Sequence, residues 1–160
     1  MIVAGSSYVA GSHWGLPPTS TTERVVLAAH LRSLSDGHLA DVISTDQHTV
    51  KPWFAGKLDF SPPVPRFEWA GFPLLGGRVD HIEGRPAAVL VYGKDKHIIN
   101  VFIYPDRGSD VRVRLESVKG YQTLVWRANQ MAFWAVSDLN EQDLELFYTR
   151  FCVAAKSCGH

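Results

Sequence analysis

The sequence predicts an α+β fold: an antiparallel β-meander sheet of about five strands with an N-terminal and a C-terminal helix packed against one face. Two observations carry this. A segment near each end begins on capping-box spacing and repeats apolar residues at helical intervals. Between them lies a block in which two short segments, AAVLVY and IINVFIY, are apolar at nearly every position and bounded by turn residues.

Residues 1–20 read as a leader and 21–160 as a single domain. The opening MIVAGSSYVAGSHWG is mildly apolar, but serines interrupt it and it is shorter than the ~20 apolar residues that span a bilayer. It also lacks the basic stretch that opens a signal peptide. It is either a flexible leader or the outer end of a membrane helix. After the linker LPPTSTT, Ser20 followed by Glu23 predicts a helix start, and Leu27, Leu31 and Leu34 supply its buried stripe through about Gly37, with His30 and His38 near the edge.

From Asp41 to Pro65, four prolines and Gly56 argue against a long regular element. Trp53, Phe54, Leu58 and Phe60 are apolar enough to pin this loop region onto the body of the domain. Leu75-Gly76-Gly77-Arg78 reads as a bulge or turn entering a strand, since it lacks the glycines and the Lys-Ser/Thr of a phosphate loop. Arg78 to Ile82 and Pro86 to Tyr92 form a hairpin around Glu83-Gly84, and His97 to Tyr104 follows a turn at Gly93 to Lys96. The fully apolar strands are central, covered over most of both faces. Tyr121 to Arg127 and Met131 to Ser137 make a second pair. Pro105 to Lys119, with Val111, Val113 and Leu115 between arginines, is either an edge strand or a charged loop. The last helix is expected to start at Asp138 with Glu141 three residues on, to bury Leu144, Phe147, Tyr148, Phe151 and Ala155, and to stop near Gly159.

Sixteen Lys plus Arg balance sixteen Asp plus Glu, so no net field draws the chain to phosphate backbones or anionic lipid. Nucleic acid is not an expected partner. Cys152 and Cys158 would diverge if both stayed helical, so a disulfide between them requires an irregular terminus. Two cysteines alone do not define the redox compartment.

The segment DQHTVKPWF places a carboxylate, an imidazole, an ammonium and two aromatics within nine residues. Asp46, His48, Lys51 and Trp53 are the ligand- or partner-binding candidates, with His97 as a further one. An Asp-x-His pair can ligate a metal or hold a histidine tautomer for proton transfer. The alternative is that Asp46 and His48 satisfy backbone groups while Trp53 and Phe54 fill the core. No histidine pair has helical metal-ligand spacing and no Cys-x-x-Cys occurs, so no metal and no cofactor are expected. Without a G-x-S-x-G elbow or an activated cysteine, the chain is not expected to be an enzyme.

DQHTVKPWFAGKLDFSPPV, GFPLLGGRVDHIEGRPAAVLVYGKDKHIINVFIYP and GYQTLVWRANQMAFWAVSDLN resemble the outer domain of transmembrane anti-sigma factors that restrain extracytoplasmic-function sigma factors. The likeness runs from about Ala29 to Phe147, and HTVKPWF and WAVSDL are its most specific parts. It implies a regulatory, non-enzymatic domain, anchored in the inner membrane through an N-terminal helix and facing the periplasm. The sigma factor would be held by a cytoplasmic domain outside this chain, so sigma binding and any zinc it needs do not fall on these residues. The motif carries over onto His48, Thr49, Lys51, Pro52, Trp53 and Phe54, and the resemblance does not say what it binds. An extracytoplasmic signal or partner protein is implied, and edge strands offer a route to a homodimer. The alternative function is a small periplasmic metal- or ligand-binding protein using the Asp46/His48 loop.

Overall fold

The computed structural model describes residues 20–108 and 113–158. The leader expected before Ser20, together with Val111 and Gly159, lies outside the described residues. Among the described residues, seven strands form one antiparallel sheet: β1 (Val42–Ile43), β2 (Leu74–Ile82), β3 (Arg85–Lys94), β4 (His97–Pro105), β5 (Arg114–Val118), β6 (Tyr121–Ala128) and β7 (Met131–Ser137). Their spatial order is β1-β2-β3-β4-β7-β6-β5.

The sheet thus has seven strands rather than about five, and two meanders rather than one. β1 to β4 run in sequence, the chain then crosses to the far edge, and β5 to β7 run back until β7 pairs with β4 from Asn100↔Val136 to Pro105↔Met131. β1 is too short to leave a sequence pattern. β5 is the Arg-interleaved segment after Pro105, formed as an edge strand. The Glu83-Gly84 turn joins β2 to β3 as expected, with both residues left-handed at φ 51 and 78.

Both faces of the sheet are covered. On one, Ala88, Leu90, Tyr92, Val101, Ile103, Trp126 and Phe133 pack against α2 (Gln47–Ala55) and α3 (Glu141–Ala155). On the other, Ala87, Val89, Phe102, Trp134 and Val136 pack against Val26, Leu27 and Ala29 of α1 (Thr21–Ser35). The terminal helices therefore lie on opposite faces, not on one. Strands apolar on both sides leave no face for water, so each face requires its own cover.

The stripe expected on α3 is present: Leu144, Phe147 and Phe151 are fully buried, with Tyr148 and Ala155 packed beside them. The Phe147 ring lies 5.4 Å from Phe67, 5.3 Å from Phe72 and 5.3 Å from Tyr92. The helix is capped by Asn140, whose Oδ1 accepts from the Asp143 N–H at 2.8 Å, and not by Asp138. It ends at Lys156, left-handed at φ 51. That reversal provides the irregular terminus a disulfide requires, and Cys158 bonds to Cys152 with their Cα atoms 5.1 Å apart.

On α1 the predicted cap holds: Ser20 Oγ accepts from the Glu23 N–H at 3.1 Å. The predicted stripe holds only at Leu27. The buried residues are Glu23, Val26, Leu27, Ala29, His30 and Ser33, whereas Leu31 and Leu34 are 37% and 38% exposed. The helix turns this mixed face inward because the sheet offers polar partners. Thr123 donates to Glu23 at 2.6 Å, and Asn100 donates to Ser33 Oγ at 3.1 Å.

His30, expected at the helix edge, is completely buried, with Tyr121 edge-on to its ring at 5.7 Å. Burial, with the nearby Arg78 charge adding to it and Asp138 opposing, lowers its pKa from 6.5 to about 4. The folded state thus holds His30 neutral where the unfolded chain binds a proton. Its contribution to stability is complete above pH 6.5 and is lost as pH falls towards about 4. Urea unfolding between these pH values should show a decline that His30→Leu reduces and that exposed His48→Ala leaves in place.

Candidate functional site

The HTVKPWF motif forms α2, a helix where a loop was expected. Nine residues fall within what the prolines permit, and Pro52 inside the helix removes one ladder hydrogen bond. Its start is a cap built by two neighbours: Ser44 Oγ accepts from the Asp46 N–H at 3.0 Å, and Asp46 Oδ1 accepts from the His48 N–H at 2.9 Å.

One side of α2 locks it to the sheet. Val50 and Phe54, four residues apart, are fully buried. The Phe54 ring lies where a Cβ on Gly77 would stand, 2.8 Å from its Cζ. At Gly76, with φ +154, a Cβ would stand 2.1 Å from the Val42 carbonyl oxygen, so the glycine admits β1. The register of β2 slips between Leu74 and Gly76, which is the bulge expected of this Gly-Gly pair. Trp53 is half-buried, with its ring edge-on to Phe54 at 5.2 Å and Lys57 Nζ 4.9 Å above it.

The other side of α2 is free, and it forms the wall of a groove of about 340 Å³. Gln47, His48, Lys51 and Pro52 make this wall, Pro63, Val64 and Pro65 the opposite one, and Ala154 and Ala155 of α3 complete the lining. The proline wall is held from beneath by Tyr92, whose buried hydroxyl donates to the Pro65 carbonyl at 2.7 Å. Burial raises the Tyr92 pKa well above its ordinary value, so the phenol keeps the proton it donates. No carboxylate is among the lining side chains of the described residues. An ammonium, an imidazole and an amide above Pro, Val and Ala suit an occupant with an apolar body and an acceptor or anionic group.

Of the five candidates, the groove brings together His48 and Lys51. Asp46 caps the helix, and Trp53 belongs to the packing side. His97 is elsewhere, with Nδ1 2.8 Å from Asp138 Oδ1 at the approach to α3. His81 is exposed on β2, its own N–H bonded to Asp80, and makes no common site with His48 or His97. Among the described residues no three His, Cys, Asp or Glu side chains converge as metal ligands. Sequence reasoning missed Gln47, the SPPVP wall and Ala154-Ala155. The dense prolines of that segment are the signal for a rigid wall.

No known protein family, curated protein or solved structure matches this chain.

The two sides of α2 differ in what they contribute to stability. Phe54→Ala should cost about 3–5 kcal/mol in urea unfolding, whereas exposed Lys51→Ala should stay within about 0.5 kcal/mol.

Proposed function

We propose that the chain is the outer regulatory domain of a membrane-anchored anti-sigma factor, non-enzymatic and facing the periplasm. The observation that carries this reading is the division of the HTVKPWF motif, on which the resemblance chiefly rests. Val50 and Phe54 fix the helix in the core, and His48, Lys51 and Pro52 are left along an open groove. A motif spent half on anchoring and half on a groove surface suits recognition of a signal or partner protein. The Cys152–Cys158 disulfide agrees with an oxidising compartment outside the cytoplasm. The sigma factor is held by a cytoplasmic domain outside this chain, and an N-terminal helix connects the two through the membrane. An occupant of the groove that binds one state of the regulator more tightly shifts it between its restraining and releasing states.

A second reading shares the groove. At about 340 Å³ it is within the size range of small-molecule sites, so the chain can be a periplasmic binding protein that holds a ligand on His48 and Lys51. Asp46 contributes little to such a site, since its Oδ1 is engaged in the helix cap.

The two are separated in cells carrying the full-length protein and a reporter driven by the cognate sigma factor. Under the regulatory reading, His48→Ala and Lys51→Glu alter reporter output while the protein stays folded and at its normal level. Reporter output identical to wild type in both variants contradicts it. Retention of one small molecule per chain in native mass spectrometry, lost in the same variants, favours the binding protein.

A further inference from the structure

The first turn of α1 meets the β5–β6 hairpin through two carboxyl groups. Glu23 is 1% exposed, and its Oε1 accepts from the Thr123 hydroxyl at 2.6 Å. Its Oε2 is also buried and has no N–H or O–H donor among the described residues. Glu116 lies directly across from Thr123 in the β5–β6 ladder, so both side chains stand on the sheet face that α1 covers. The Glu116 side chain thus stands beside Thr123, whose hydroxyl holds Glu23. Arg114, two residues along the same strand, donates to Glu116 Oε1 from Nε at 2.6 Å.

Among the described residues, none of the groups around the pair donates to Glu23 Oε2. On β6 they are Tyr121, Thr123 and Gln122, whose Nε2 is committed to Ser117 at 3.2 Å. On α1, the Thr22 hydroxyl is committed to Glu83 at 2.8 Å, Arg24 is exposed, and neither ring nitrogen of buried His30 is hydrogen-bonded to a described residue. Lys119 in the β5–β6 turn is exposed. Among the described residues, Arg114 is the one cation bonded to the pair, and it engages Glu116 rather than Glu23.

We propose that Glu23 and Glu116 share a single proton, and that this carboxyl–carboxylate hydrogen bond clasps the start of α1 to the edge hairpin and opens as pH rises. The proton supplies the donor that Glu23 Oε2 lacks. It binds between two oxygens and leaves to solvent past Glu116, whose side chain is 31% exposed. Two ionised carboxylates in contact repel, and one of them faces a buried site, so the doubly charged state is the one that separates. In agreement, burial and the adjoining Glu23 carboxyl raise the pKa of Glu116, with Arg114 opposing. The clasp stands independently of what the groove binds. Under the regulatory reading, it sits where the chain enters the domain from residues 1–19.

A folded-state pKa raised above the unfolded one contributes stability that is complete below the unfolded value and is lost as pH rises through the folded value. Glu116→Gln replaces the shared proton with an amide N–H that does not titrate. Melting temperature and hydrogen-exchange protection of the amides of 21–27 should be compared between pH 4.5 and 8. Wild type should lose melting temperature relative to Glu116→Gln as pH rises, together with protection of the first α1 turn. Arg114→Met, which removes the opposing cation, should move the same transition to higher pH. Parallel pH profiles for wild type and Glu116→Gln, or an Arg114→Met midpoint equal to that of wild type, would overturn the clasp.

Discussion

Strands β3 and β4 are buried along most of their length on both sides, and the sheet around them has to be covered twice. Most of the architecture depends on this constraint. α1 covers one face, and α2 with α3 covers the other. Phe147 and Phe151 join the loop residue Phe67 to Tyr92 and Trp126 of the sheet in one aromatic cluster. The groove exists because this second cover has two parts. α2 and the end of α3 are separate helices, and the Pro-rich segment between α2 and the sheet closes one side of the gap.

The groove is well supported for a surface feature. Its α2 wall is set by Val50 and Phe54, its proline wall by the Tyr92 hydroxyl, and its α3 lining lies between the cysteines of the disulfide. Prolines and a cross-link restrict the motion that an occupant would otherwise have to suppress on binding. The clasp at Glu23 and Glu116 acts on the opposite face, through the other covering helix. Under the two proposals the faces carry different tasks: α2 and α3 a recognition surface, and α1 a proton-dependent hold on the sheet edge.

Much of this was legible wherever apolar pattern alone decides position. The stripe of α3, the Glu83-Gly84 hairpin, the central strands and the Ser20 cap follow directly from residue spacing. Legibility ended where polar residues are buried in pairs. On α1, spacing predicts a stripe of Leu27, Leu31 and Leu34 with His30 at its edge, whereas the buried face holds Leu27 with Glu23, His30 and Ser33 and leaves Leu31 and Leu34 partly exposed. Thr123 and Asn100, remote in sequence, reverse that order. Pairing of β7 with β4 likewise has no local signal, since it brings together strands separated by the whole β5–β6 excursion. At the groove, composition singles out His48 and Lys51, which line it, while Asp46 caps the helix, in line with the backbone-satisfying alternative, and His97 belongs to a separate pair. Residue type indicated chemistry there, and only three-dimensional packing could assign it.

The regulatory account rests on this domain being the outer part of a larger, membrane-held chain. The most direct measurement is fractionation of native cells with an antibody to this domain, followed by intact mass determination. The account predicts a membrane-bound species heavier than this chain by at least a membrane helix of ~20 residues and an inner domain. A species of this chain's own mass, free of the membrane, would contradict it.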